Sequence, residues 1–148
     1  EILQEAKVKG VQIHLPSDSL CCKEFSNDLP SQVRPINQIP EDEMGLDIDP
    51  ESIKAFNEVI LNSSLILWNG PMGVFEMSNF QNGTGSIAHS IVKATEKNAF
   101  SLIGGGDSVS AINLFKLSSK VSHVSTGGGA MLEYLEGKQL PGIEAINN

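Results

Sequence analysis

Phe100-Ser101-Leu102-Ile103-Gly104-Gly105-Gly106-Asp107-Ser108 is an apolar run of strand length that breaks into three glycines and a polar pair. A helical pattern follows it, from about Asp107 to Phe115. The same rhythm stands on both sides. Upstream, Leu65-Ile66-Leu67-Trp68 is a short apolar strand; the loop Asn69-Gly70-Pro71-Met72-Gly73-Val74-Phe75-Glu76 comes next, and Gly83 to Lys97 is an amphipathic helix. Downstream, Val121-Ser122-His123-Val124 leads through Ser125-Thr126-Gly127-Gly128-Gly129 into a helix from Ala130 to Glu136. Three strand-then-helix units in a row predict an α/β fold of three layers, a parallel sheet with right-handed crossovers and helices on both faces.

Further out the pattern loosens. Asp49-Pro50 predicts a helix start, with Asp as N-cap and Pro at the first helical position, and the helix runs to about Asn62. Residues 17–48, with Pro30, Pro35 and Pro40, predict loops and a short edge strand. Val11-Gln12-Ile13-His14-Leu15 alternates with period two and stops at Pro16, which predicts a strand. Glu1 to Ala6 reads as the middle of a helix, and with no Met at the front the chain is expected to be a piece of a longer polypeptide.

Composition narrows the class. Hydrophobic residues make up 40% and charged residues 19% of 148 residues, enough for one domain with a real core. No apolar run approaches the ~20 residues that cross a bilayer, so no membrane association is expected. The net charge of −8 repels DNA and RNA at long range, so no nucleic-acid partner is expected. With a single arginine, Arg34, and scattered lysines, a phosphate site must rely on backbone N–H groups and a metal. Cys21 and Cys22 are adjacent and make neither a disulfide framework nor a zinc site, which suits a reduced, cytoplasmic protein. His14, His89 and His123 lack metal-ligand spacing.

The three glycine-rich loops should share the carboxyl-end rim of the sheet, where ligands of such folds sit. Glycine permits close backbone approach and unusual φ/ψ, and the free N–H groups of the helix that follows attract an anion. A carboxylate such as Asp107 beside phosphates is repulsive unless Mg²⁺ lies between them; the plain alternative is that Asp107 is a helix cap. Glu76 suits the two hydroxyls of a ribose, or is a surface carboxylate. No G-x-x-x-x-G-K-[ST] occurs. Gly83-Thr84-Gly85-Ser86-Ile87-Ala88 fits the loose dinucleotide pattern but follows no strand, so it reads as a coincidence at a helix start.

Trp68 to Glu76, Ile103 to Ser108 and Ser122 to Ala130 resemble phosphoglycerate kinase, as does the ending Leu135-Glu136-Gly137-Lys138 with Leu140-Pro141-Gly142. The resemblance implies a kinase that moves a phosphoryl group between 1,3-bisphosphoglycerate and ADP, giving 3-phosphoglycerate and ATP, with Mg²⁺. It implies two Rossmann-like domains, of which residues 1–148 are part of the C-terminal, nucleotide-binding one, while the N-terminal domain that binds phosphoglycerate is absent. A monomer is expected. By motif position, Gly45 and Leu46 would line the adenine pocket. Gly70, Met72 and Phe75 would border base and ribose, with Glu76 on the ribose hydroxyls. Asn69 would face the phosphates, Asp107 would hold Mg²⁺, and Gly105, Gly106 and Ser108 would contact the phosphates. Gly127, Gly128 and Gly129, with Gly105, would stabilise the phosphoryl group in transit.

Departures from the family pattern bear on activity. Asp49 stands where the family usually has glycine and brings negative charge towards the pocket. The Gly-Gly-Ala-Lys-Val segment with its phosphate-binding lysine does not occur, nor does the basic phosphoglycerate site. The isolated chain is therefore expected to be inactive; the alternative function is a truncated, non-catalytic nucleotide-binding module.

Overall fold

Two sheets organise the computed structural model, which describes residues 1–125 and 127–147, the side chain of Asn147 excepted. Thr126, which the sequence places in the last glycine turn, lies outside the described residues. The parallel sheet has the order β4–β5–β6, with β4 at Leu65–Trp68, β5 at Phe100–Gly104 and β6 at His123–Ser125. Its register pairs Leu65 with Phe100, Trp68 with Ile103 and Ile103 with Val124. Paired neighbours share a face, so Ile66, Trp68, Ser101 and Ile103 line one side, and all four are buried. That side packs on α3 (Asn82–Glu96) and α4 (Gly106–Leu114), with α2 (Pro50–Leu61) against α3. On the opposite side α5 (Gly128–Leu135) meets the sheet where the Met131 side chain covers Gly104. The expected α/β layering is therefore present, although the second face is thinly covered: Leu65 is 73% and Phe100 51% exposed.

The second sheet corrects the sequence reading. Residues 17–48 are not mainly loops: β1 (Asp18–Cys22) is the centre of an antiparallel sheet, between β2 (Gln32–Pro35) and β3 (Met44–Asp47). The prolines fit because Pro35 ends an edge strand, where a missing N–H is harmless, while Pro30 and Pro40 lie between strands. Cys21 and Cys22 are free thiols buried in β1. Val11–Leu15, in contrast, forms no strand; it pairs with no other strand, and Val11 and Leu15 stay exposed. Alternation makes a strand only where another strand supplies the ladder.

Boundaries shift slightly elsewhere. β6 starts at His123 rather than Val121, and α5 starts at Gly128 rather than Ala130. A terminal helix, α6 (Pro141–Asn147), follows, and α1 spans Ile2–Val8 with no residue buried. At the start of α2, Asp49 holds the N-cap position but its side chain caps nothing. Asp18, arriving from β1, does the capping: it accepts the N–H groups of Glu51 and Ser52, both at 3.0 Å, and the Ser52 hydroxyl. A carboxylate there answers both the orphan donors and the positive helix end. Burial alone would raise the Asp18 carboxyl, but these hydrogen bonds outweigh it and hold the group below its ordinary value. Burial, with Asp18 as a like charge nearby, raises Asp49.

Candidate functional site

The three glycine loops meet at the carboxyl ends of the parallel strands, and the two triple-glycine turns meet backbone to backbone. Gly105 has φ +91°, open to glycine at no steric cost. A Cβ on Gly128 would run into the amide N and Cα of Gly105, so the two triple-glycine turns touch directly. The first loop joins them on the other side. A Cβ on Gly105 would lie 2.8 Å from Asn69 Oδ1, and the Gly70 N–H donates to Ser108 Oγ at 2.6 Å. Strand length and sheet register alone would bring the loops to one rim; the absence of side chains brings the two triple-glycine turns into contact.

Behind the contacts stand the first turns of α4 and α5, whose free N–H groups and positive dipole ends are suited to an anion. Gly105 is the N-cap of α4 and Gly127 that of α5, and no side chain caps either helix. Asp107 is thus not the cap that was its plain alternative. It sits exposed in the first turn of α4. Among the described residues no cluster of three or more His, Cys, Asp or Glu could hold a metal ion. One free carboxylate beside glycine turns fits a hydrated Mg²⁺ that arrives with phosphate oxygens, not a protein-only cage. Arg34, the chain's one arginine, is spent elsewhere: its Nε and Nη2 bind Glu43 at 2.9 and 2.7 Å in the antiparallel sheet.

Beside the rim, a cleft of about 450 Å³ lies between β3 and the Pro71–Val74 stretch. Gly45, Leu46 and Met72, three of the expected base-pocket residues, line it together. Asp49 lines a different cleft along α2, with Pro50, Ile53 and Asn57. The remaining expected residues are distributed unevenly. Asn69, Gly106, Gly127, Gly129 and Glu76 are exposed. Phe75 is 5% exposed and belongs to the core with Trp68 and Ile87, and Ser108 is 0% exposed. Ser108 therefore holds the Asn69–Gly70 loop in place through its hydroxyl.

Sequence reasoning missed two residues at the cleft. Asp47 is a buried carboxylate, 3% exposed, at the end of β3. Burial pushes its carboxyl up to about 6, against the partial relief of N–H bonds from Gly83 and Ile48, and Asp49 adds to the rise. The signal available was a lone acid between Leu46 and Ile48. Thr84, 0% exposed, belongs to the Gly83-Thr84-Gly85 motif set aside as a coincidence, and its hydroxyl accepts the N–H groups of Met72 and Gly73.

Fold and rim together define an α/β domain of the kind that places ligands beyond the carboxyl ends of its parallel strands. The chain belongs to the phosphoglycerate kinase family, whose profile, described as Phosphoglycerate kinase, matches residues 1–138. It is similar to the phosphoglycerate kinase of Porphyromonas gingivalis, at 53% identity over 99% of this chain and 35% of the relative. The enzyme of Chloroherpeton thalassium is 48% identical over 99% of this chain and 37% of its own length. Among solved structures, phosphoglycerate kinase from Coxiella burnetii superposes with a TM-score of 0.89 at 38% identity, covering 96% of this chain and 36% of that one. The chain thus spans little more than a third of the length of the relatives it matches. Among the described residues, no helix is long and apolar enough to cross a membrane.

Proposed function

We propose that this chain supplies the nucleotide half of a phosphoglycerate kinase, which transfers a phosphoryl group between 1,3-bisphosphoglycerate and ADP in glycolysis. The carrying observation is the direct contact of the two triple-glycine turns, with the Asn69–Gly70 loop fastened beside them. The whole of residues 1–148 belongs, on this reading, to the C-terminal domain, and the phosphoglycerate site lies on a part of the polypeptide beyond it. The working protein is a cytoplasmic monomer with neither nucleic acid nor membrane as partner.

The nucleotide's base enters the cleft of Gly45, Leu46 and Met72, with Phe75 supporting from the core and Gly70 and Glu76 at the ribose. Asn69, Gly105 and Gly106 receive the phosphates, and Ser108 steadies Gly70. Asp107 is the chain's ligand for Mg²⁺, which when bound offsets the charge of the phosphate oxygens. Phosphoryl transfer proceeds with charge spread over the equatorial oxygens of the moving group, so catalysis is mostly positioning and charge stabilisation. Gly127, Gly128 and Gly129 open α5 with N–H groups that face such charge without any side chain to intervene.

The test is Mg-ADP titration and coupled turnover with the full-length polypeptide, followed by the 148-residue chain alone. Turnover by the full-length protein and none by the isolated chain is expected. A full-length protein that binds no Mg-nucleotide overturns the proposal. The chain's share of its relatives' length favours one further outcome, nucleotide binding without turnover, for the 148 residues by themselves.

A further inference from the structure

Asp47 and Thr84 belong to a closed ring of hydrogen bonds around one wall of the base cleft. The Asp47 carboxylate uses both oxygens: Oδ1 accepts the Ile48 N–H at 2.9 Å and Oδ2 accepts the Gly83 N–H at 2.7 Å. That bond ties β3 to the start of α3. One residue on, Thr84 Oγ1 accepts the Met72 N–H at 3.1 Å and the Gly73 N–H at 3.2 Å, which ties α3 to the loop. The Val74 N–H then donates to the Leu46 carbonyl at 2.8 Å, returning to β3 and closing the ring.

The ring is tight enough to dictate glycine at two places. A Cβ on Gly73 would stand 2.6 Å from the Leu46 carbonyl oxygen and against the Asp47 carboxylate. A Cβ on Gly83 would stand 2.6 Å from Ile48 Cγ1 and against the same carboxylate. The structure's two acceptors are both buried, and a carboxylate there is costly to bury. What the acceptors provide in return is geometry: Leu46 and Gly45 on one side of the cleft and Met72 and Gly73 on the other are held at one separation. The Gly83-Thr84-Gly85 motif is thus neither a dinucleotide site nor an idle helix start.

We infer that Asp47 and Thr84 are positioning residues that fix the width of the base cleft, and through it the affinity for the flat heteroaromatic base of the nucleotide. The inference rests on the nucleotide reading given above. Thr84 acts through the Met72 and Gly73 N–H groups and Asp47 through those of Ile48 and Gly83, so their loss should appear in nucleotide binding and leave the transfer step largely intact.

The experiment uses the full-length polypeptide with Thr84→Val, Thr84→Ser and Asp47→Asn, and separates KM for Mg-ADP from kcat. Thr84→Val removes both hydrogen bonds at nearly constant volume and is expected to raise the nucleotide KM roughly tenfold, with kcat within about twofold. KM for the phosphoglycerate substrate stays at the wild-type value, and Thr84→Ser restores the nucleotide KM. Amide exchange at Met72 and Gly73 quickens in Thr84→Val and not in Thr84→Ser. Should Thr84→Val fail to fold, Asp47→Asn carries the test: its NH₂ faces an N–H donor, and a several-fold rise in nucleotide KM is expected. An unchanged nucleotide KM in a folded variant whose exchange has quickened overturns the inference, as does unchanged exchange. A wild-type protein that neither binds nor turns over Mg-nucleotide overturns instead the reading on which the inference rests.

Discussion

The glycine rim and the cleft of Gly45, Leu46 and Met72 share one loop, Asn69 to Glu76, and are built by different means. At the rim, the two triple-glycine turns touch by leaving side chains out: Gly128 lies on Gly105, which itself lies against the Asn69 side chain. At the cleft, contact is made by burying side-chain acceptors, Asp47 and Thr84, that collect backbone N–H groups from neighbouring elements. Charge explains the contrast. Backbone N–H groups at a helix start favour an anion, and a carboxylate packed among them would repel it. The cleft, proposed to take a neutral base, tolerates the nearly buried acid in its wall. The loop reaches both regions and is fastened at each by a buried hydroxyl, Gly70 by Ser108 and Met72–Gly73 by Thr84.

The largest expected effect would break the rim and spare the cleft. Gly128→Ala puts a methyl group onto the Gly105 amide and is expected to lower kcat of the full-length enzyme by about 100-fold or more, the scale of losing an anion-stabilising donor. Near-wild-type turnover would show that the contact is only packing. Asp107→Asn is next: Mg-nucleotide affinity, followed by Trp68 fluorescence, should fall by roughly tenfold or more, since a charged ligand is worth on the order of 1.5–3 kcal/mol. Stability should change by no more than about 0.5 kcal/mol, as for an exposed residue that caps nothing. A lost fold with intact affinity would reverse the assignment.

The cleft has its own signature in pH. The Asp47 pKa of about 6 lies above its ordinary 3.8, so its contribution to stability is full below the ordinary value and is lost as pH rises through about 6. Urea unfolding of full-length wild type and Asp47→Asn from pH 4 to 7.5 should show wild type losing up to about 3 kcal/mol relative to the variant across that window. Parallel profiles would mean that Asp47 does not titrate there. The smallest effect is expected away from both regions. On the thinly covered sheet face, Leu65→Ser should move the unfolding free energy of the 148-residue chain by no more than about 0.5 kcal/mol. A larger loss would show that this face is already packed.

Much of this was legible in the sequence because it depends on local rules. The run Leu65–Trp68 appears as the strand it suggests, and Asp49-Pro50 marks a helix that indeed begins at Pro50. The glycines after β5 and β6 announce turns whatever surrounds them. What failed depended on partners distant in the chain. Residues 17–48 form strands only because β1 collects β2 and β3 on its two edges, while Val11–Leu15, with better alternation, finds no partner. Asp49 looked like the cap of α2, and Asp18 took that role from more than thirty residues away in the chain.

The same division holds for the site. The sequence by itself determined that three glycine-rich loops leave successive parallel strands, with Asp107 behind one of them, because strand period, helix period and glycine punctuation are properties of short segments. Only the tertiary structure decided that Gly128 rests on Gly105, that Ser108 is buried under Gly70, and that Asp47 and Thr84 close a ring around the cleft. Those contacts join residues far apart along the chain, and no local pattern carries them: a hydrogen bond or a steric clash depends on distance in space, which folding alone assigns.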